Sequence, residues 1–357
     1  MFTLLSFALV VGFIAAAFYL FRSKLNVPPS PIGFPVIGHL HLLKDPVHRC
    51  LHDLSRNLGP VFSLKLGSCR AVVVTSASAA EEFLSHENDV VFANRPISTL
   101  GKYVAYNNSI VSVSPYGDHW RNLRRICTVE IFSAAHSQPE YYTDEIIKGL
   151  VMVMIVAGTD TTAVTLEWAM ANLVKYPDVL AKAKTELNNA VSSKGRLMEE
   201  SDTSNCTYVN NVISETLRLY PAGPMLVPHE SSVDCKVAGY DIPRGTWLFI
   251  NAWAIQRDPK EWDEPEAFKP ERFDSEELKT HHGKFLPFGI GRRACPGMGL
   301  AQIVLSSALG SLIQCFDWER DDEMAVDMSE GTGLTMPKAV PLVAKCKSSP
   351  ILDNVVF

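Results

Sequence analysis

One run near the C-terminus constrains the chain most: Pro287-Phe288-Gly289-Ile290-Gly291-Arg292-Arg293-Ala294-Cys295-Pro296-Gly297, followed directly by the uncharged stretch Met298 to Phe316. The glycines at 289 and 291 permit backbone conformations closed to other residues and let the loop approach a large flat group without a Cβ in the way. The apolar stretch predicts a buried helix, which puts Cys295 beside its N-terminus, where free backbone N–H groups favour an anionic sulfur. A thiolate so placed is a strong soft ligand. Gly289, Gly291 and Ala294 also match a loose dinucleotide fingerprint, but no β-branched strand precedes them and Cys295-Pro296 interrupts the helix start which that motif needs. A lone cysteine acting as a small buried hydrophobe is the other bland alternative.

The loop resembles the cysteine-ligand loop of the cytochrome P450 family, the haem-thiolate monooxygenases. The resemblance implies haem b as cofactor, the Cys295 sulfur as axial ligand of its iron, and Phe288, Gly289, Arg293 and Gly297 as neighbours of the macrocycle. Glu215 and Arg218, three apart on a predicted helix, would by themselves be an ordinary solvated pair. Together with Pro270-Glu271-Arg272-Phe273 they resemble the family's Glu-x-x-Arg helix and meander arginine. On that likeness Glu215, Arg218 and Arg272 form a buried structural charge cluster behind the haem.

Asp144 to Lys175 reads as one long helix, with Thr143 as N-cap, acidic residues in the first turn and Pro177 as the stop. Leu150 to Val156 is apolar on every face, which predicts burial in a large domain. The uncharged run before Asp160 is shorter than the ~20 residues a bilayer needs. Within this helix the Thr161 hydroxyl can bond back to the Ala157 carbonyl, and small residues at Ala157 and Gly158 would admit a flat cofactor. Ala157-Gly158-Thr159-Asp160-Thr161-Thr162 resembles the family's oxygen-activation motif, which implies Thr161 as hydrogen-bonding partner of dioxygen and Asp160 in the proton supply. Trp120 and Arg124, four apart, resemble the family's tryptophan-arginine helix and could meet one haem propionate together. Arg293 and His229 occupy positions resembling further propionate contacts. For His229 an ordinary surface histidine is the open alternative.

Met1 to Phe21 carries no charge and as a helix would span about 30 Å, enough for one hydrocarbon core. Arg22 and Lys24 come next. A signal anchor fits better than a cleaved signal peptide, despite Ala15-Ala16-Ala17, and the basic flank places the remainder of the chain in the cytosol. The expected organisation is a transmembrane anchor (1–21), a basic, proline-rich linker (22–38) and a catalytic domain (39–357) on the endoplasmic reticulum membrane. The expected fold is mainly α with small β-sheets around Val61 to Thr75 and Val237 to Ile250. With 47% hydrophobic residues and a net charge of −6, the 357-residue chain has ample core material and no case for binding nucleic acid. Its eight cysteines show no zinc spacing, as a reducing compartment would have it.

Only residues 126–156 separate Arg125 from Ala157, where the family has a block of helices, on the order of 150 residues or one domain's worth. The chain reads as internally deleted near 134–138, which removes the roof of the family's substrate pocket. Phrases such as Glu261-Trp262-Asp263-Glu264-Pro265-Glu266 look like plant microsomal members, the isoflavone hydroxylase-like group in particular. The resemblance implies insertion of one oxygen atom from O2 into a small apolar or phenolic substrate, with a flavonoid or isoflavonoid as the candidate. Electrons would come from an NADPH-cytochrome P450 reductase, since no nicotinamide site is visible. The rival expectation is a catalytically impaired deletion variant that at most binds haem.

Overall fold

The computed structural model describes residues 25–84, 86–130, 143–191, 196–275, 283–321 and 325–354. The N-terminal apolar segment and the 134–138 junction lie outside them. In order, the main elements are α1 (Val47–Leu58), β1 (Val61–Leu66), β2 (Cys69–Val74), α2 (Ala77–Leu84), α3 (His86–Val91), α4 (Thr99–Tyr103), α5 (Asp118–Arg125), α6 (Asp144–Lys175), α7 (Pro177–Ala190) and α8 (Thr207–Leu219). Next come β3 (His229–Glu230), β4 (Cys235–Val237), β5 (Tyr240–Ile242), β6 (Trp247–Ile250), α9 (Ala252–Ile255), α10 (Met298–Cys315), β7 (Phe316–Glu319) and β8 (Lys345–Ser348).

The four-stranded sheet runs β1-β2-β6-β3, and the two β-rich stretches of the sequence meet in it through the parallel pairing of Ala71–Val74 with Trp247–Ile250. Its strands obey the period of two. Val72, Val74, Leu248 and Ile250 face a core with Phe83 and Phe92, while Ala71, Val73, Trp247 and Phe249 face α1 through Leu51. A second core joins four helices. Leu173 of α6, Val179, Ala183 and Leu187 of α7, Val209 and Val212 of α8, and Leu305, Leu309 and Ile313 of α10 interdigitate there. The spacings of three and four put each set on one helical face, and every such large side chain is worth about 1.5–3 kcal/mol of burial.

The long helix has the bounds its sequence predicts, and the Thr143 hydroxyl accepts from the Ile146 backbone N–H at 3.4 Å. Its two halves differ. From Val164 to Val174 it lies largely in the core, but Ile147, Val151 and Ile155 form an exposed stripe at spacings of four, with Ile155 at 59% and Val156 at 65% exposure. The expectation that Leu150 to Val156 is buried therefore holds at Leu150, holds in part at Met152 and Val153, and fails at Val151 and from Met154 to Val156. All-round apolarity reports what a helix was built to be covered by, and the chain has too few residues between α5 and α6 to supply the cover. Two described helices, α6 and α10, are long and apolar enough to cross a membrane by length and composition alone, yet each contributes to the helical core.

The segment read as a linker is laid against the domain from Asn26 onward. Ser63 donates to the carbonyls of Pro28 and Pro29 at 2.8 Å each, and Asn26 exchanges hydrogen bonds with Asp241. Prolines lack an N–H but keep an acceptor, so a proline-rich strip can still be tied down through its carbonyls.

Candidate active site

The cysteine loop is shaped from behind by α2 and α3. The Arg292 backbone N–H lies 3.0 Å from both oxygens of Asp89, and the Arg292 guanidinium adds an ion pair at 3.4 Å. Gly291, at φ +72°, sits so close that a Cβ there would lie 2.5 Å from Asp89 Oδ1 and 2.7 Å from the Leu84 carbonyl oxygen. Only glycine fits both demands. At the loop's other end Cys295 N–H donates to the Phe288 carbonyl at 2.8 Å, and Gly297 precedes the first turn of α10.

Cys295 is itself exposed, on the open side of this loop. Although the residue reaches solvent, partial desolvation pushes the thiol up, while the Gly297 backbone N–H and the Arg124 guanidinium draw it down. A bound metal cation removes the proton outright.

Around the loop stands a group of basic side chains, of which Arg95, Arg293 and His229 are buried and Arg124 is half-buried. Arg293 Nε donates to the Ala93 carbonyl at 2.6 Å and Nη1 to that of Val111 at 3.2 Å. Arg124 donates to the Ala294 carbonyl, next to Cys295. His229, buried on β3, contacts the Phe92 carbonyl through Nδ1 at 2.7 Å, which rules out the surface-histidine alternative. Trp120 donates its indole N–H to the Val111 carbonyl at 3.1 Å and lies beneath Arg293, whose Cζ is 4.4 Å from the ring centroid. Trp120 and Arg124 thus each donate to a main-chain carbonyl, of Val111 and Ala294 respectively.

Arg95, which no motif in the sequence singles out, completes the group. Its Nη1 donates to the carbonyls of Val227 and Pro228 at 2.6 and 2.9 Å, and its Nε is buried without any partner. Burial lowers Arg95 to about 9, Arg293 to about 10 and His229 to about 3, each helped by repulsion from a neighbouring arginine. Among the described residues no carboxylate pairs with Arg95, Arg124 or Arg293. Buried cations without an acid are expensive unless an anion joins them. Asn94-Arg95-Pro96 carries no periodicity; an arginine before a proline in a stretch otherwise apolar was the available signal.

On α6 the Thr161 hydroxyl donates to the Ala157 carbonyl at 2.6 Å and that of Thr162 to Gly158 at 2.7 Å. Ala157, Gly158 and Asp160 are exposed, and a Cβ at Gly158 would meet nothing within 4 Å. Behind the loop, Glu215 and Arg218 are wholly buried and joined by bonds of 2.7 and 2.8 Å, and Arg272 Nε reaches Glu215 at 3.0 Å. Arg218 Nη1 also donates to the carbonyls of Gln256 and Pro265, so the cluster pins the segment before the cysteine loop to α8.

An apolar cavity of about 300 Å³ opens between α1, the main sheet and the turn Gly331 to Met336, lined by Leu51, Val73, Met225, Leu226, Phe249 and Leu334 among others. Leu226 links it to the cysteine loop, because its Cδ1 is 4.0 Å from where a Cβ on Gly289 would stand. Leu226 itself has φ +50°, a left-handed conformation that costs a leucine about 1 kcal/mol or more.

A flat group bearing two carboxylates fits these residues: a soft sulfur in the open, uncompensated buried cations with an orphaned Arg95 Nε beside it, and a helix surface without a Cβ at Gly158. The class they define is a haem-thiolate protein. Comparison with known proteins agrees. The cytochrome P450 family model matches residues 28–138 and 130–343, and the chain belongs to the cytochrome P450 family. Among curated relatives, it is 42% identical over 495 positions to cytochrome P450 81Q32 of Catharanthus roseus, covering 99% of this chain and 98% of that protein. It is 37% identical to (+)-piperitol/(+)-sesamin synthase CYP81Q2 of Sesamum radiatum over 94% of this chain and 93% of the relative. Isoflavone 3'-hydroxylase of Medicago truncatula is 35% identical, with 94% and 95% covered. An alignment of 495 positions against 357 residues requires a long gap in this chain, and the family match in two segments is consistent with an internal one. Zebra fish cytochrome P450 structures share the fold, with TM-scores of 0.74 and 0.75 at 20% and 21% identity over 86% of this chain and 100% of theirs. The chain is thus a plant cytochrome P450 of the CYP81 type, a monooxygenase by homology, and the family implies a haem-thiolate cofactor.

Proposed function

We propose that the chain acts as a haem monooxygenase on a small apolar or phenolic substrate of the isoflavonoid kind, with Cys295 as the iron ligand. The observation that carries this reading is a set of acid-free cations, Arg95 and Arg293 buried and Arg124 half-buried, by the loop of an exposed cysteine. Arg95, Arg124 and Arg293 would hold the propionates, with Trp120 and His229 fixing the surrounding carbonyl framework and Phe288, Gly289 and Gly297 bordering the macrocycle. When bound, the haem supplies activation of O2 for insertion of one oxygen atom, the other leaving as water. His229, kept neutral by burial, contributes a hydrogen-bonding ring rather than a charge. Thr161, tethered to Ala157, can accept a proton from solvent or Asp160 and pass its own inward. Glu215, Arg218 and Arg272 hold the cysteine loop's support in place. The substrate class rests on the activities for which two relatives are named and on the apolar cavity that leads to Leu226.

Electrons come from an NADPH-dependent reductase, and the chain is anchored once in the endoplasmic reticulum membrane by residues 1–21, with 39–357 as the cytosolic catalytic domain. The exposed stripe of α6 favours a second reading, a variant whose turnover is impaired because water reaches the site. The test reconstitutes the full-length chain with its reductase in lipid and measures haem content, product and peroxide per NADPH oxidised. The impaired reading expects less than one haem per chain and mostly peroxide. Full haem content with coupled hydroxylation of an isoflavone establishes the first reading and overturns the second; no haem at all overturns both.

A further inference from the structure

Two walls of the apolar cavity are joined by one carboxylate. Residues 329–339 form a tight hairpin, closed by Gly331 N–H to the Pro337 carbonyl at 2.8 Å and Ala339 N–H to the Ser329 carbonyl at 2.9 Å, with Glu330 bridged to Lys338. Its returning strand is fixed to the core. Met336 donates to the Ala222 carbonyl at 3.1 Å and accepts from the Trp168 indole at 2.8 Å, and Lys338 lies 4.7 Å from the Trp168 ring centroid. Its outgoing strand is held to α1 by Glu330. The carboxylate accepts from His48 Nε2 at 3.2 Å to each oxygen and from Arg49 Nε. Arg49 is itself set by the Trp253 ring 4.8 Å away. Between these attachments the tip projects into solvent, with Leu334 94% exposed at the cavity mouth.

We propose that Glu330 is a positioning residue whose bonds to His48 and Arg49 set the distance between α1 and the hairpin, and so decide which apolar ligands the cavity admits. Three features support this. His48, Val47 and Leu51 line the cavity from the α1 side, and Gly331 through Met336 line it from the other, so the carboxylate spans the two linings. The hairpin is closely packed on itself, because a Cβ at Gly331 would stand 3.1 Å from the Lys338 carbonyl oxygen and one at Gly333 3.2 Å from that of Thr335. Burial pushes the Glu330 carboxyl up, but its two basic partners outweigh that and hold it at about 2, so the tie stays charged throughout the physiological range. Glu330 touches neither the cysteine loop nor the buried cations, which separates its effect from the chemistry. The selection of ligands rests on the reading of this cavity as the substrate's route towards Leu226 and Cys295.

The test uses the full-length chain in phospholipid nanodiscs, the isoflavone daidzein and the bulkier progesterone as probes, and empty discs as the blank. In Glu330→Gln, amide exchange at Gly331 and Ala339 is expected to rise about tenfold while β1 and β2 stay protected, as loss of one charge-assisted tie implies. By equilibrium dialysis the daidzein Kd should rise about tenfold and the progesterone Kd less than about twofold, narrowing the preference between them. His48→Gln should move both readouts the same way by less, and Glu330→Asp should recover part of the selectivity. Unchanged exchange at the hairpin in Glu330→Gln overturns the tie, and exchange rising equally across β1 and β2 overturns it too, by showing general unfolding. A parent chain that binds neither probe overturns the cavity reading and the selection with it, whatever the exchange shows.

Discussion

Arg218 and Glu215, three residues apart on α8, meet through two parallel bonds of 2.7 and 2.8 Å with neither side chain reaching solvent. The guanidinium's remaining donors go to the carbonyls of Gln256, Pro265 and Ala267, and the carboxylate also accepts from the Lys269 backbone N–H and Arg272. Every polar atom is engaged, so removing either partner strands a charge. Glu215→Ala or Arg218→Met should each cost about 3–5 kcal/mol in chemical unfolding. A cost below about 1 kcal/mol would mean that the cluster is solvated.

The stripe Ile147, Val151, Ile155 should tolerate polarity. Val151→Gln and Ile155→Gln are expected to change stability by no more than about 0.5 kcal/mol, because nothing is uncovered that was buried. They should also reduce light scattering at high protein concentration, since the bare patch is shortened. A loss above about 2 kcal/mol would show that this face is covered.

Acid should weaken the haem-free chain through His229. Its folded value of about 3 lies below the ordinary 6.5 because burial opposes charging, so the unfolded chain binds the extra proton between those limits. The stability is fully present above about 6.5 and is lost as pH falls towards 3, by about 2 kcal/mol between pH 6.5 and 5. Urea titrations of the parent and His229→Gln across that window check this; the variant's slope should be smaller by one proton.

What the sequence disclosed and what it hid divide along physical lines. The bounds of α6 were legible because Thr143, Asp144 and Pro177 act locally, and the strand β2 because the β-branched run Val72-Val73-Val74 is a local pattern. The ion cluster was legible only by likeness to a family, since Glu215 and Arg218 at that spacing are usually solvated. Arg95 stayed hidden because burying a cation among carbonyls is a tertiary fact. The exposure of Val156 and the docking of Asn26 depend on which distant segments are present to pack, and no window of sequence contains that.

The proposed cytosolic placement predicts bare asparagines. Asn107 and Asn205 sit in acceptor patterns, Asn107-Asn108-Ser109 and Asn205-Cys206-Thr207, and both are exposed, so each is open to a luminal transferase if it meets one. Peptide mass mapping of the chain from its native host should find neither glycosylated. A glycan at either site contradicts the orientation.

The claim on which the rest depends is thiolate ligation by Cys295, and the reduced carbonyl spectrum reads it directly. With haem bound, the full-length chain should show the strongly red-shifted Soret band of thiolate-ligated iron, and Cys295→Ser should lose it. An unshifted band in the haem-loaded parent, or a shifted band that survives in Cys295→Ser, would contradict the assignment.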